Sequence, residues 1–290
     1  MTSKQKKQLK LLLQLVVAVL AIYFVIGQID IEAFKSQILS VKPVWLMLAA
    51  LAFNASKILS AFRLNYFFRA LGLQLGEKYN LKLYYLGMLY NQVFPGGIGG
   101  DGYKVYLLNK LYDTPVKKLV GATLIDRISG VVALGFLALI TALVGNTGSL
   151  MQGFDFLLWV GLVLAYPAYY VLLHYLFPTY KGVNHITNVQ ALGVQACQVL
   201  CAWLLLQSMG ISDNAFDYFT LFLISSVAAA LPVSAPGGIG VREWVMVMGA
   251  GLLALNENAA VALASLFFII TLFSSLLGAL FVSQFKSVKD

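Results

Sequence analysis

Six charged residues lie within or beside long apolar segments, where a charge is costly and usually serves a function. They are Asp101, Lys104, Asp126, Arg127, Arg242 and Glu243. An arginine can hold a phosphate group through two parallel hydrogen bonds, so we predict that Arg127 and Arg242 bind an anion. The acidic members, Asp101, Asp126 and Glu243, fit two roles equally well. They could line the same site, or they could form internal ion pairs that hold neighbouring helices together.

Two nearly identical chain breaks adjoin four of these residues. Residues 94–99 read FPGGIG and residues 235–240 read APGGIG, 141 positions apart. Backbone groups freed by such a break cannot face lipid, so they must be buried in protein or line a wet cavity. Each half-helix that follows would point its N-terminus, with free N–H groups and partial positive charge, at the membrane centre. Close helix packing at Gly and a simple kink at Pro are the alternative. We predict that the breaks bind substrate through Pro95, Gly96, Gly97 and Gly99, and through Pro236, Gly237, Gly238 and Gly240.

A few other polar residues fall in apolar surroundings. Asn54, Lys57, Asn65 and Arg69 share about a third of the circumference of one helix. Lys57 is predicted to line a cavity, although it could also extend towards the membrane surface. Asn91 precedes the first break and is predicted to line the same space.

Several kinds of site are not expected. We find no Ser-His-Asp set, zinc-ligand set or paired carboxylates, so neither an enzyme nor a metal site is predicted. Residues 97–102 match the G-x-G-x-x-G dinucleotide fingerprint. That fingerprint requires a preceding strand, whereas a membrane helix precedes it here. No cofactor is therefore expected.

Composition places the chain in a membrane. Hydrophobic residues make up 60% of it, charged residues 11%, and the mean hydropathy is +0.83. A soluble domain has about 25% charged residues. Apolar stretches near the length of about 20 residues that spans a bilayer lie at 11–27, 43–62, 119–145, 154–177, 189–209 and 259–285. Strand-like alternation is scarce, so the fold class is all-α, a polytopic integral membrane protein.

The positions of the lysines predict two re-entrant hairpins. If basic residues face the cytoplasm, Lys82 and Lys110 lie on the same side, yet only about 30 residues separate them, where two full spans would need about 40. A hairpin turning at the first break resolves this, and a second hairpin, at 217–254, enters from outside. Two tilted full spans remain the alternative for each hairpin. The prediction is about six full transmembrane helices plus two re-entrant hairpins, with both termini cytoplasmic, in a bacterial or archaeal cytoplasmic membrane.

Hairpins of opposite entry predict an inverted repeat. We treat residues 1–290 as a single domain whose repeats cover about 11–145 and about 154–285. Inverted repeats are common in transporters, whose sites lie near the bilayer midplane where interrupted helices meet. The formal net charge of +8 lies beside the apolar runs, as orientation signals do, so nucleic acid is excluded as a partner.

Three sequence blocks, in order, resemble the flippase-like transmembrane domain of the lysylphosphatidylglycerol synthase family. They are residues 94–104 (FPGGIGGDGYK), 124–127 (LIDR) and 231–243 (LPVSAPGGIGVRE). The resemblance covers nearly the whole chain and implies paired re-entrant hairpins and a role in lipid translocation. Bifunctional members of the family carry a soluble aminoacyl-transferase domain, for which the sequence leaves no room after Lys289, so a stand-alone member is expected. The last helix also lacks the arginine that many members have there, which leaves the substrate or its coupling open.

The expected function is therefore a lipid flippase or scramblase for an anionic lipid or lipid-linked head group. Candidates are aminoacylated phosphatidylglycerol, a polyprenyl phosphate or a glycolipid. The expected partners are these membrane lipids and a lipid-modifying enzyme or glycosyltransferase. Two alternatives stay open: an accessory protein that presents a lipid-linked intermediate to a separate enzyme, and an ion-coupled transporter of small solutes.

Overall fold

The computed structural model describes residues 31–93, 97–147, 155–230 and 240–286. In these ranges the regular structure is entirely helical, which confirms the predicted fold class. The helices are α1 (Ile31–Leu39), α2 (Pro43–Ala70), α3 (Glu77–Val93), α4 (Gly99–Tyr112), α5 (Val116–Val144), α6 (Asp155–Leu176), α7 (Asn184–Ser208), α8 (Ala215–Ala230), α9 (Val241–Leu252), α10 (Glu257–Leu276) and α11 (Val282–Lys286). Short 3₁₀ segments at Pro178–Val183 and Leu277–Phe281 precede α7 and follow α10.

Five helical segments are long and apolar enough to cross a membrane. They are Pro43–Ala70, Val116–Val144, Asp155–Leu176, Pro178–Ser208 and Glu257–Phe285. The protein is therefore a multi-pass membrane protein. These segments correspond to five of the six predicted spans, and the predicted first span, at 11–27, lies outside the described residues.

The ends of the spanning helices follow from local sequence. Helix α2 has Pro43 in its first turn, where a missing N–H costs nothing. It ends before Gly72, whose φ of +86° is readily accessible to glycine. Helix α10 starts at the cap residue Asn256, whose side-chain oxygen accepts a hydrogen bond from the Ala259 N–H at 3.0 Å.

Four helices are shorter than a bilayer-spanning helix. Helices α3 and α4 have 17 and 14 residues, and α8 and α9 have 16 and 12. At 1.5 Å per residue they are about 26, 21, 24 and 18 Å long, against about 30 Å of hydrocarbon. Helix α3 packs on α4, and α8 packs on α9. Helices shorter than a full span are consistent with the two predicted hairpins, whose depth in the bilayer stays a prediction.

Helices α3 and α4 touch backbone to backbone at Gly87 and Gly100. A methyl group at Gly100 would fall 2.6 Å from the Gly87 Cα and closer still to the Gly87 carbonyl oxygen. Overpacking of this kind costs about 1–3 kcal/mol. A side chain at Gly100 would force the hairpin apart, whereas a methyl group at Gly87 would first meet the flexible end of the Lys104 side chain. Glycine is therefore required for close approach at position 100.

Gly100→Ala should therefore lower the unfolding midpoint of the purified protein. The matched control is Gly102→Ala, on the same helix, where a methyl group would meet nothing within 4 Å and would gain helix propensity. Thermal unfolding in detergent, followed by tryptophan fluorescence, should show a clear loss for Gly100→Ala and no loss for Gly102→Ala. Equal midpoints would contradict the close helix contact.

The buried apolar residues form two large clusters separated along the spanning helices. One cluster includes Phe53 of α2 and Leu134 of α5, together with α7, α8 and α10. The other includes Leu64 of α2 and Ile125 of α5, together with the hairpin α3–α4. The middle stretches of α2 and α5 lie between these clusters and carry polar residues instead.

Candidate functional site

A polar cavity of about 210 Å³ lies between α2, α3, α4, α5 and α7. Its charged lining residues are Lys57, Arg63, Asp101, Lys104, Asp126 and Arg127. Tyr84, Asn91, Gln195 and Gln198 add neutral polar groups. The structure thus brings together six of the residues predicted to form the site, namely Lys57, Asn91, Asp101, Lys104, Asp126 and Arg127.

The cavity lies halfway along the helices that form it. Lys57 is at the middle of α2 (Pro43–Ala70), Arg127 is near the middle of α5, and Gln195 is near the middle of α7. In a helix long enough to cross the bilayer, the middle residue lies near the membrane centre. Charged groups at that depth are expected to face protein or a wet space, and here they face the cavity.

Asp101 holds two cations at the start of α4. Its carboxylate accepts a hydrogen bond from Lys104 Nζ at 3.0 Å and one from Arg127 Nε at 2.6 Å. Arg127 also donates to the Gly97 carbonyl oxygen at 2.5 Å. Arg127 therefore fastens α5 to the first turn of the half-helix and to the chain break before it. Asp101 therefore forms internal ion pairs, which is one of the two roles that the sequence left open for it.

A second, more deeply buried ion pair joins α2 to α5. Arg63 Nε donates to Asp126 Oδ1 at 2.8 Å, and Arg63 Nη2 donates to the Asp126 carbonyl oxygen at 3.1 Å. The side chains are 6% and 13% exposed. The sequence prediction did not include Arg63, which directly follows the predicted apolar stretch 43–62 but lies seven residues before the end of α2, where a charge is usually functional or paired.

The predicted residues Arg242 and Glu243 are not among those that line the cavity. Lys57, which lines it, and Arg242 have no carboxylate within 4 Å among the described residues. Lys57 Nζ lies 4.5 Å from the centre of the Phe53 ring, and the Arg242 guanidinium lies 4.9 Å from the centre of the Phe267 ring. Arg242 Nε is buried without a hydrogen-bond acceptor. The Phe53 and Phe267 rings pack edge to face with their centres 5.4 Å apart, so Lys57 and Arg242 flank one pair of aromatic rings.

Two side chains cap the half-helices from within the protein. Asn91 Oδ1 accepts from the Gly100 N–H at 2.8 Å, at the start of α4. Glu243 Oε2 accepts from the Gly240 N–H at 2.8 Å, at the start of α9. Each uses one of the N–H groups that the sequence left free for an anion, and the negative charge of Glu243 is favourable at that helix end.

The remaining predicted residues are distributed as follows. Gly97 accepts the hydrogen bond from Arg127, Gly99 begins α4, and Gly240 precedes α9 with a φ of +83°. Pro95, Gly96, Pro236, Gly237 and Gly238 lie outside the described residues.

The four polar residues predicted to share one face of α2 make different contacts. Asn54 accepts from the Tyr85 hydroxyl at 2.8 Å and donates to Ser274 Oγ at 3.0 Å, which joins α2, α3 and α10. Asn65 donates to the Leu75 carbonyl oxygen, and Arg69 pairs with Glu77 near the helix end. Of the four predicted residues of this face, Lys57 alone lines the cavity.

The family model described as the lysylphosphatidylglycerol synthase TM region matches residues 11–278. The chain belongs to this family. The match includes every residue of the cavity and both chain breaks, so the resemblance seen in three sequence blocks is confirmed over nearly the whole chain. No curated protein matches the chain.

Membership of this family indicates a lipid-related function for the membrane protein. The family description names the membrane part of a protein that makes a phospholipid derivative. Within the described residues, no group of three or more His, Cys, Asp or Glu side chains could hold a metal ion. The cavity is lined by lysine, arginine, carboxylate and amide groups, which can recognise charge.

Proposed function

We propose that the protein moves an anionic lipid, or the anionic head group of a lipid-linked molecule, across the cytoplasmic membrane. It acts as a flippase or scramblase and not as an enzyme. The observation that carries this proposal is the net positive charge of a cavity halfway along the spanning helices. Four basic and two acidic side chains line it, so two positive charges remain to attract an anion.

The two halves of the protein form an inverted repeat, which would allow access to the cavity from both sides of the membrane. Each substantial contact between two helices is repeated between their counterparts in the other half. The counterparts are α1 and α6, α2 and α7, α3 and α8, α4 and α9, and α5 and α10. For example, α5 packs on α8 as α10 packs on α3, and α2 packs on α5 as α7 packs on α10. Every substantial contact among these ten described helices has such a counterpart, and α2 and α7 contact each other.

Equivalent positions of the two halves are separated by a constant number of residues. Helices α2 and α7 begin at residues 43 and 184, and α5 and α10 begin at residues 116 and 257. Each pair is 141 residues apart, as are the prolines of the two breaks. Between the starts of α2 and α7 the chain crosses the membrane three times, through α2, α5 and α6, if each hairpin returns to its own side. Three crossings place equivalent helices in opposite orientations, which makes the repeat inverted.

Two halves of opposite orientation around one cavity suggest how the lipid is translocated. The head group enters the cavity and meets the cations, while the acyl or polyprenyl tail stays in lipid. A rocking motion of one half against the other would open the site to the opposite leaflet. We recognise no nucleotide-binding motif, so gradients or consumption of the translocated lipid would supply any driving force.

Reconstitution tests the proposal directly. Proteoliposomes containing fluorescent anionic lipids are treated with dithionite, which destroys only the fluorophores in the outer leaflet. The protein should extend the fluorescence loss to lipids that began in the inner leaflet, and protein-free vesicles should not. Saturable lipid binding without transbilayer movement would favour an accessory protein that presents its lipid to an enzyme such as a glycosyltransferase. Uptake of a small solute without lipid movement would favour an ion-coupled solute transporter.

Site-directed labelling tests the opposed hairpins. In a background of Cys197→Ala and Cys201→Ala, which removes both native thiols, Lys110→Cys should react with an impermeant maleimide from the cytoplasmic side and Leu255→Cys from the outside. Ile98→Cys, at the turn of the first hairpin, should not react from outside, because a re-entrant hairpin does not reach that surface. Labelling of Ile98→Cys from outside would show that α3 and α4 are full spans.

A further inference from the structure

We infer that a groove facing the membrane holds one anionic phospholipid, with an acyl chain in the groove and the phosphate group beside Lys78 and Lys82. The groove lies between α2, α3 and the 3₁₀ segment Leu277–Phe281, and its volume is about 360 Å³. Among the described residues, none lines both this groove and the polar cavity. The groove is therefore a second lipid site, whose existence does not depend on the proposed translocation.

One face of α3 forms a wall of the groove. Four of its residues, spaced i, i+3, i+4 and i+7, lie on one side of the helix. They are Lys78, Leu81, Lys82 and Tyr85. The lysines lie near the start of α3, whereas the Tyr85 hydroxyl donates to Asn54 Oδ1, near the middle of α2, at 2.8 Å. The groove therefore runs from one end of the spanning helices to about their middle, which is the depth of a single lipid leaflet.

The rest of the lining is apolar and faces outward. It consists of Ile58, Leu277, Leu280 and Phe281. Ile58 is 38% exposed, Leu277 45% and Leu280 68%. These residues belong to segments that are long and apolar enough to cross the bilayer, so their exposed surfaces meet hydrocarbon. In a membrane the groove is therefore filled from the lipid phase, and an acyl chain is the group that fits it.

A close backbone contact gives the groove a fixed shape. At Gly278 the 3₁₀ segment touches α3, and a methyl group there would fall 2.8 Å from the Tyr85 carbonyl carbon and closer still to its oxygen. The two walls are thus held together by a contact that only glycine permits. The groove is preformed, as binding sites for small molecules usually are.

The lysines give one end of the groove a positive charge. Neither Lys78 nor Lys82 has a carboxylate within 4 Å among the described residues. The neighbouring acid, Glu77, is paired with Arg69. Lys82 Nζ donates a hydrogen bond to Gln284 Oε1 at 3.0 Å, and an ammonium group has three donors. A positive end beside an apolar groove matches a phospholipid that carries a net negative charge.

The inverted repeat does not impose this charge. At the register of 141 residues, Lys78 and Lys82 correspond to Phe219 and Leu223, which are buried in the apolar cluster that includes Phe53. The lysines are therefore specific to the groove of the first half. On the predicted topology Lys82 lies at the cytoplasmic surface, where anionic lipids attract basic residues, so the lipid comes from the cytoplasmic leaflet.

The predicted first span is an alternative occupant of the groove. Residues 11–27 lie outside the described residues, and their sequence contains no acidic side chain. Such a segment would cover the leucines but would leave both lysines without a counter-ion. Charge complementarity therefore favours the anionic lipid.

Photocrosslinking to the purified full-length protein tests the inference. Phosphatidylglycerol and phosphatidylcholine with the same diazirine-labelled acyl chain are compared, and the crosslinked peptides are identified by mass spectrometry. Phosphatidylglycerol should label the peptide that contains Leu277–Phe281 at about tenfold lower concentration than phosphatidylcholine does. The double variant Lys78→Gln with Lys82→Gln should remove that advantage. Lys117→Gln with Lys118→Gln removes the same charge at the start of α5, outside the groove, and should label as the wild type does.

Two further variants separate lipid binding from folding. Lys78→Arg with Lys82→Arg keeps the charge and should keep the preference for phosphatidylglycerol. Leu280→Trp fills the groove with a larger side chain and should strongly reduce labelling by phosphatidylglycerol. Its unfolding midpoint should stay near the wild-type value, because Leu280 is exposed.

Three results would overturn the inference. Equal labelling of the wild type by the two lipids would show that the lysines do not select the head group. Unchanged labelling of the Lys78→Gln, Lys82→Gln variant would show the same. Absence of labelling in the wild type would show that another occupant, such as residues 11–27, fills the groove.

Discussion

Asp126→Asn is expected to destabilise the protein by about 3–5 kcal/mol, because it leaves the buried Arg63 guanidinium without its charge partner. The Arg63–Asp126 pair is 6% and 13% exposed and joins α2 to α5 between the two apolar clusters. No other carboxylate of the described residues lies within 4 Å of Arg63. The loss should be visible as a lower unfolding midpoint in detergent and a poorer yield of monodisperse protein.

The pair formed by Arg69 and Glu77 provides a matched control. It is also an arginine–carboxylate pair involving α2, but its side chains are 42% and 41% exposed, and exposed pairs contribute only about 0–1 kcal/mol. Glu77→Gln should therefore change the midpoint little. The double variant Arg63→Leu with Asp126→Leu should recover most of the lost stability, since the cost arises from the unpaired charge. Equal effects of Asp126→Asn and Glu77→Gln would show that water reaches the Arg63–Asp126 pair.

Sequence reasoning predicted the helical membrane fold and the positions of most helices because long apolar runs and breaks are local signals. The stretch between Lys82 and Lys110 was too short for two spans, and α3 and α4 end and begin around the break in the middle of it. Helix ends were less predictable. Helix α7 begins at Asn184, five residues before the apolar run at 189, because polar residues of its first turn continue the helix beyond the hydrophobic segment.

The residues of the cavity were predictable as a set, but their partners were not. Hydropathy marks Asp101, Asp126 and Arg127 as costly charges, yet it does not say which of them meet. That choice depends on how α2, α4 and α5 pack, which is a long-range property. Arg63 was missed because its partner Asp126 lies on another helix, 63 positions away, and attention to the polar face of α2 selected Asn65 instead.

Arg242→Gln is expected to reduce lipid movement by about tenfold or more, while the unfolding midpoint stays near that of the wild type. The sequence predicts that Arg242 binds the anionic head group, and the loss of one charged contact to it is worth at least about 1.4 kcal/mol, which is a factor of ten. Stability should change little because Arg242 has no carboxylate within 4 Å among the described residues, and its Nε makes no hydrogen bond there. Arg242→Lys keeps the charge but loses the planar donors, so its flux should be intermediate.

Arg127→Gln should behave differently, since Arg127 ties α5 to Asp101 and to the Gly97 carbonyl oxygen. Removing both hydrogen bonds should lower stability by about 1–3 kcal/mol, and flux should fall because the half-helix loses its anchor. Lipid flux and unfolding midpoint measured together therefore distinguish an arginine that binds cargo from one that holds the site. A stable but inactive Arg127→Gln, with an unstable Arg242→Gln, would exchange the two roles and place the anionic head group beside Arg127 instead.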